Sequence, residues 1–315
     1  MAKTRALRRR IRSVESISQI TRTMEMVSTS KLKRAQDRVV GARPYAQALA
    51  EVIGELLSPE LAERFPLLRQ PAPPGRGGPA RAAVLLVTSN RGLAGAFNAN
   101  LIRAAREKVH ALEAAGFEVE LLVVGKKGVN YFKFVRRPLA VARLDVGDKP
   151  TAEHAIELVT PLIARFEAGE LASLDVVFAQ FKSALATPPT VLRVLPVQAT
   201  GGDAAAPGRG GARTHAEATE PPSPPAANAA AFILRPGADE LLGALLPLYV
   251  RNLVFRALVE TAASEQGARR SAMKSATDNA GEILDVLRRT YNRARQGQIT
   301  QELAEIVGGA EALNG

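Results

Sequence analysis

A chain of 315 residues with a net charge of +11, 4% aromatic residues, no Trp and no Cys is long enough for one to three domains and excludes disulfides, a thiol nucleophile and a cysteine-ligated metal. Three histidines, His110, His154 and His215, are too few and too scattered for a His-rich metal site, and the basic balance calls for an acidic partner: nucleic acid, an anionic membrane or an acidic protein surface. No run of about 18 uninterrupted apolar residues occurs and the N-terminus lacks an apolar signal core, so a protein kept on the cytoplasmic side without a transmembrane helix is expected.

The first predicted element runs from residue 3 to 57. Leu7, Ile11, Val14, Ile17, Ile20, Met24, Val27, Leu32, Ala35 and Val39 recur at steps of three and four, which is one stripe along a helix. A helix of that span would be about 80 Å long, more than a compact domain needs, so a coiled-coil arm is expected. Pro44 should bend it near its end. A Pro- and Gly-rich stretch at 69–81 follows as a linker.

The pattern then changes. Short β-rich runs at 82–88 and 118–124 flank a helical stretch at 97–115, a strand–helix–strand unit that marks a parallel sheet. Helices near 126–135 and 151–168 and strands at 174–181 and 190–197 complete one α/β unit. The segment 199–230 is Ala, Gly, Pro and Ser with almost nothing to bury, and is expected to be disordered. From about 239 to 306 the helical stripe returns with Leu242, Leu246, Leu253, Leu258, Met273, Ile283, Leu287, Ile299, Leu303 and Ile306, a helix on the order of 100 Å. Gly267 and Gly281 inside it each cost about 1 kcal/mol against Ala. The expected fold class is mixed: a long antiparallel coiled coil of the two terminal helices plus a small Rossmann-like α/β domain. Its parts are an N-terminal helix (1–58), the α/β domain (80–198), a disordered insertion (199–230) and a C-terminal helix (236–313), with a polar outer surface along the rod.

Catalytic and ligand motifs are weak. GLAGAFN at 92–98 sits where a phosphate loop would, but it lacks the third Gly and the Lys-Ser/Thr, so a tight turn with close backbone packing is preferred about four to one. GKKG at 125–128 reads as a basic turn. Glu153 and His154 are adjacent and point to different helix faces, and Asp285 with Arg289 is an ordinary i,i+4 pair. The basic cluster Lys3, Arg5, Arg8, Arg9, Arg10 and Arg12 admits three readings: a phosphate grip, a solvated helix face or an acidic protein partner. No aromatics are interleaved to stack bases.

Four stretches carry a resemblance in order along the chain. They are ISQITRTMEMVSTSKLKRAQ (17–36), VTSNRGLAGAFNANL (87–101), FKSALATPPTV (181–191) and the C-terminal run from AMKSATDN to GGAEAL (272–313). Together they resemble the gamma subunit of F-type ATP synthases. The resemblance implies a central-stalk rotor that couples c-ring rotation to ATP synthesis or hydrolysis in an alpha/beta hexamer and regulates its activity. It implies no catalytic residue, cofactor or metal in the chain itself, and a peripheral position on the cytoplasmic face of the bacterial inner membrane. Partners would be the alpha, beta and epsilon subunits and the c-ring, with no nucleic acid and no small-molecule substrate bound directly. It further implies that Met24 faces the beta-subunit lever with Lys31, Lys33 and Arg34 beside it, that Arg269, Gln296 and Thr300 meet the beta catch region, and that Leu234, Arg235 and Asp239 lie on the c-ring and epsilon side. Gly267 and Arg270 depart from the family's usual Ala and Met. Photosynthetic relatives carry a redox-regulatory Cys pair near 199–230; without Cys, a passive loop is expected here. The alternatives are a basic coiled-coil nucleic-acid-binding protein and a nucleotide-binding α/β enzyme built on GLAGAFN.

Overall fold

The computed structural model describes residues 2–56, 64–70, 81–197 and 238–314. The insertion 199–230 and the candidates Leu234 and Arg235 lie outside the described residues.

Helix α1 spans Ala2–Leu56 with Pro44 inside it. A short 3-10 turn, Pro66–Leu68, precedes the sheet and buries Leu67 and Leu68. The α/β unit runs β1 (Arg81–Val87), α2 (Phe97–Ala114), β2 (Glu118–Val124), α3 (Lys126–Phe134), β3 (Val141–Arg143), α4 (Ala152–Glu167), β4 (Ser173–Ala179) and β5 (Pro189–Leu195). Helix α5, Ala238–Asn314, closes the chain. At 55 and 77 residues, α1 and α5 are about 80 and 115 Å long. An 18-residue window of α5 reaches a mean hydropathy of 1.4, with 44% of it buried inside the fold; a core helix has that property as readily as a membrane span.

The two long helices pair antiparallel. Thr4 hydrogen-bonds Gln298, Glu15 meets Arg288, and Thr21 Oγ1 lies 2.7 Å from Thr277 Oγ1. Lower down, Leu32, Ala35 and Val39 pack with Val259 and Ala263, and at the foot Leu49 and Ile53 join the core that holds Leu242 and Leu246. The seam of α1 follows a strict heptad: Leu7, Ile11, Val14, Ser18, Thr21, Glu25, Ser28, Leu32, Ala35 and Val39 are its buried or half-buried positions. This corrects the apolar stripe read from sequence. Ile17, Ile20 and Val27 point outward, at 50%, 59% and 51% exposure, while Thr21 and Ser28 face the partner helix buried. In α5 the seam uses Met273, Ala280 and Leu284, and Ile283, Ile299, Leu303 and Ile306 are outside. The rod's outer surface is therefore not simply polar.

The five strands order as β3-β2-β1-β4-β5. β1, β2, β3 and β4 are parallel, but β5 runs antiparallel to β4, so the sheet is mixed where a parallel one was expected. The connection explains it: the loop between β4 and β5 is a short turn with Lys182 and Ser183 amides on the Ala186 carbonyl, and a short turn can join only antiparallel strands. β3, an exposed three-residue edge strand, was not anticipated; so short a run carries no period.

The residues of β1 alternate between two cores, as strand geometry requires. Ala82, Val84 and Leu86 face α2 and α3. Ala83, Leu85 and Val87 face α4 and the lower part of α5. Asp175 on β4, 1% exposed, is held by Arg193 of β5 at 2.9 Å and Lys108 of α2 at 3.3 Å, which neutralises a buried carboxylate.

Candidate partner-binding surface of the stalk

The carboxyl end of an open α/β sheet, at the point where strand order reverses, is where such folds bind nucleotides. Here that point lies between β1 and β4, and α5 lies against it. The Ala179 amide donates to Thr261 Oγ1, Ser264 Oγ donates to the Ala179 carbonyl, and the Phe181 amide donates to Glu260 Oε2. Arg256 in turn holds Glu260. The crevice is filled by the protein's own helix.

The Gly-rich turns have packing roles. The α3 N-terminus, where an anion would sit, has amides committed to side chains: Lys126 N–H donates to Asn90 Oδ1 at 2.8 Å and Gly128 N–H to Thr88 Oγ1 at 3.0 Å. Gly125 has φ +98, and a Cβ there would lie 2.1 Å from the Thr88 carbonyl oxygen, so only Gly lets α3 approach β1 so closely. In GLAGAFN, Asn98 Oδ1 accepts from both the amide and the hydroxyl of Ser89, closing the turn. His154 completes the N-terminal cap of α4 with Thr151, which gives it a structural use.

One turn beyond the sheet edge, three segments converge on α5. Arg269 is 6% exposed. It pairs with Glu265 at 2.5 Å, donates to Gln266 Oε1 at 3.2 Å, and donates from Nε and Nη2 to the Gly92 carbonyl. Burial pushes the Glu265 carboxyl above its usual range, with Arg269 opposing. Lys31 of α1 pairs at 2.6 Å with Asp148, from the loop before α4. Burial raises the Asp148 carboxyl, but the Lys31 hydrogen bond and the charges of Lys31, Arg91 and Arg269 outweigh it, leaving its pKa below the ordinary value. Between these pairs lies a cleft of about 310 Å³ lined by Thr23, Met24, Val27, Ser28, Gly92 and Leu93 among others. Leu93 adopts φ +62 and is 61% exposed, an uncommon conformation for a branched side chain.

The anticipated contact residues separate by location. Met24, Lys31 and Arg269 come together at this cleft. Lys33 and Arg34 are exposed on α1, one turn away. Gln296 and Thr300 lie together on an exposed turn near the far end of α5, Thr300 Oγ1 donating to the Gln296 carbonyl at 3.0 Å. Asp239 lies in the first turn of α5. Sequence reasoning set the turn 92–98 aside in favour of Arg269, yet the Gly92 carbonyl is what Arg269 grips; residues 177 positions apart give no local signal. Asp148 was missed for the same reason, being 117 residues from Lys31. Glu265 and Gln266 stand only four and three positions before Arg269, a helical spacing the sequence does carry; what it hid was their burial, since Glu265 reads as a helix-surface residue and is 5% exposed. Gly267 gains a reason: its absent Cβ would stand 2.9 Å from the Ala184 carbonyl oxygen, so the β4–β5 loop rests against bare helix.

A long antiparallel helix pair, an α/β domain whose ligand crevice is filled by one of those helices, and apolar side chains turned outward along the rod define a stalk protein that works inside a larger assembly. The family model described as ATP synthase matches residues 3–313, and the chain belongs to the ATP synthase gamma chain family. It is 53% identical to the ATP synthase gamma chain of Gemmatimonas aurantiaca over 320 aligned positions covering 100% of both chains. It is 39% identical to that of Nocardia farcinica, covering 99% of this chain and 98% of the relative. Among solved structures, a chain of the Euglena gracilis mitochondrial ATP synthase (OSCP/F1/c-ring, rotational state 3) superposes with a TM-score of 0.66 at 19% identity, covering 99% of this chain and 95% of that one. A chain of the rotor of the same enzyme gives 0.61, also at 19% identity, covering 95% and 99%. At that identity the structural likeness speaks for the fold. The nucleic-acid-binding alternative gains no support from these matches.

Proposed function

We propose that this chain is the central-stalk rotor of a proton-translocating ATP synthase, turning inside an alpha/beta hexamer and transmitting torque between it and a c-ring. The observation that carries the reading is the outward apolar surface of the coiled coil: Ile17, Ile20, Val27, Ile283, Val286, Leu303 and Ile306 are all about half exposed or more. A free rod would gain nothing from such residues; a rod inside a protein sleeve buries them. The α/β domain adds a rigid grip on the lower rod, because α5 belongs to both the rod and the core of the sheet.

In this reading Met24, Lys31, Lys33 and Arg34 face an acidic beta-subunit lever, and Gln296 and Thr300 face the beta catch region near the tip. Arg269, 6% exposed and away from Gln296 and Thr300, is assigned to the lever contact in place of the catch contact expected from sequence: it holds the Gly92 turn, and Leu93 with it, beside Met24. Leu234, Arg235 and Asp239 are assigned to the c-ring and epsilon side. The protein then sits peripherally on the cytoplasmic face of the inner membrane. Reconstitution with alpha and beta subunits tests this: ATP hydrolysis should depend on the chain. If it neither binds nor activates the hexamer, the reading fails.

A further inference from the structure

Helices α2 and α3 lie on the sheet face opposite α4 and the foot of the rod. Between them runs a groove of about 700 Å³ lined by Arg103, Arg106, His110, Tyr131, Val135 and Arg137, among others. Val135, which lines it, is 53% exposed; its chain neighbour Phe134 is 86% exposed, and Lys133 and Arg136 are exposed beside them. Phe134 and Val135 end a helix whose apolar residues Val129 and Phe132 are buried, so these two stand apart from the face that packs on the sheet.

The groove with its surroundings is net basic. Arg103, Arg106 and Arg137 line it together with two carboxylates, Glu107 and Glu113, and Glu113 is already paired with Arg137 at 2.6 Å; Lys133 and Arg136, exposed at the adjoining end of α3, add two more cations. Arg106 donates to the Tyr131 hydroxyl at 3.2 Å, which keeps its guanidinium over the groove floor.

The end of α3 supplies an independent sign. Three helices of this domain close on a left-handed residue with the following amide bonded back five residues. In α2 that residue is Gly116 (φ +88), with the Phe117 amide on the Leu112 carbonyl; in α4 it is Gly169 (φ +76), with the Glu170 amide on the Arg165 carbonyl. In α3 it is Arg136 (φ +58), with the Arg137 amide on the Phe132 carbonyl. Glycine is favoured at this position because a Cβ crowds the neighbouring carbonyl. A cation held there against that preference, next to an outward Phe, is the pattern of a recognition surface.

We infer that the α2–α3 groove docks a net-acidic segment of a protein partner, with an apolar side chain seated against Phe134 and Val135 and carboxylates meeting Arg103, Arg106 and Arg136. Charge complementarity names the occupant. A concave apolar floor suits a side chain better than a flat bilayer, and the Glu107 carboxylate beside it is placed to accept a peptide N–H. The proposal rests on the reading that the chain works inside an ATP synthase complex, since that complex supplies the partner.

The test uses the full chain in the assembled, purified complex, with Phe134→p-benzoylphenylalanine as a photo-crosslinker and the adduct mapped by mass spectrometry. The expected result is one polypeptide adduct on a segment of net negative charge. Its yield should fall about tenfold when Arg103→Glu and Arg136→Glu are added, as the loss of favourable rim charges predicts. Adducts to lipid or nucleic acid alone, no adduct in a complex that hydrolyses ATP normally, or a yield indifferent to charge reversal overturns it. A chain that fails to assemble with alpha and beta subunits even without the crosslinker removes the rotor reading itself. Because Phe134 is solvent-facing, the substitution leaves the core intact, and the same probe at Val135 provides a second position that must report the same partner.

Discussion

Arg269→Ala gives the sharpest test of how the rod is joined to the α/β domain. The substitution strands the Glu265 carboxylate, whose side chain is 7% exposed, and removes the donors to the Gly92 carbonyl and Gln266 Oε1. Breaking a buried ion pair by deleting one partner costs about 3–5 kcal/mol, and each acceptor left without its donor adds up to about 1 kcal/mol. Glu265 limits the loss by taking up a proton. Its pKa is already raised by burial, and without Arg269 it rises further. A carboxyl with a folded pKa above its unfolded one favours the folded state at low pH, and that contribution is lost as pH rises through the folded pKa. The expected loss is therefore about 3–5 kcal/mol at pH 8, shrinking to about 1–2 kcal/mol near pH 5. Adding Glu265→Gln should flatten the pH dependence and recover part of the stability. Urea unfolding followed by the helical circular-dichroism signal reads both quantities. A loss below about 1 kcal/mol at pH 8, or one equal at both pH values, would refute the buried-pair account.

Four further expectations follow from the packing. Asp175→Ala leaves Lys108 and Arg193 without their shared carboxylate and should lower stability by about 3 kcal/mol, read as a shifted urea midpoint at unchanged slope. Gly281→Ala meets nothing within 4 Å and should raise the melting temperature, worth about 1 kcal/mol in helix propensity; Gly267→Ala, facing the Ala184 carbonyl at 2.9 Å, should gain nothing or lose, and equal gains at both sites would contradict the packing. Thr21→Val or Thr277→Val alone should cost about 1 kcal/mol or less, because the hydroxyl left behind loses its partner across the seam but still donates to its own helix, Thr21 to the Ser18 carbonyl and Thr277 to the Met273 carbonyl; the double variant should cost less than the sum of the two, and additive losses would mean the two hydroxyls do not interact. Asp148→Asn should cost about 1 kcal/mol or less at pH 7, because the Lys31 pair is partly exposed. That difference should fade as pH falls through the folded pKa of Asp148, which lies below its ordinary value; a difference persisting there would point to packing.

Much of the architecture was legible locally. The helices and the four longer strands announce themselves because helical and extended chains carry different periods, 3.6 and 2, in their burial. The strand–helix–strand order named the layered domain, and the four motifs pointed to the family that the full-length match then established. What needed the tertiary structure was every choice that depends on a distant neighbour. Composition cannot tell a seam from a sleeve-facing surface: Ile17, Ile20 and Val27 look like core, and Thr21 and Ser28 look like surface, yet the heptad register set by α5 reverses them. Arg269 was picked out as a residue that matters, but its inward turn toward Gly92 exists only because the sheet edge and α5 meet. The antiparallel β5 was set by a short turn, and the Lys31–Asp148 pair by two segments 117 residues apart. Local order is written in spacing along the chain, whereas orientation, pairing and outward faces are set by which surfaces the fold brings together.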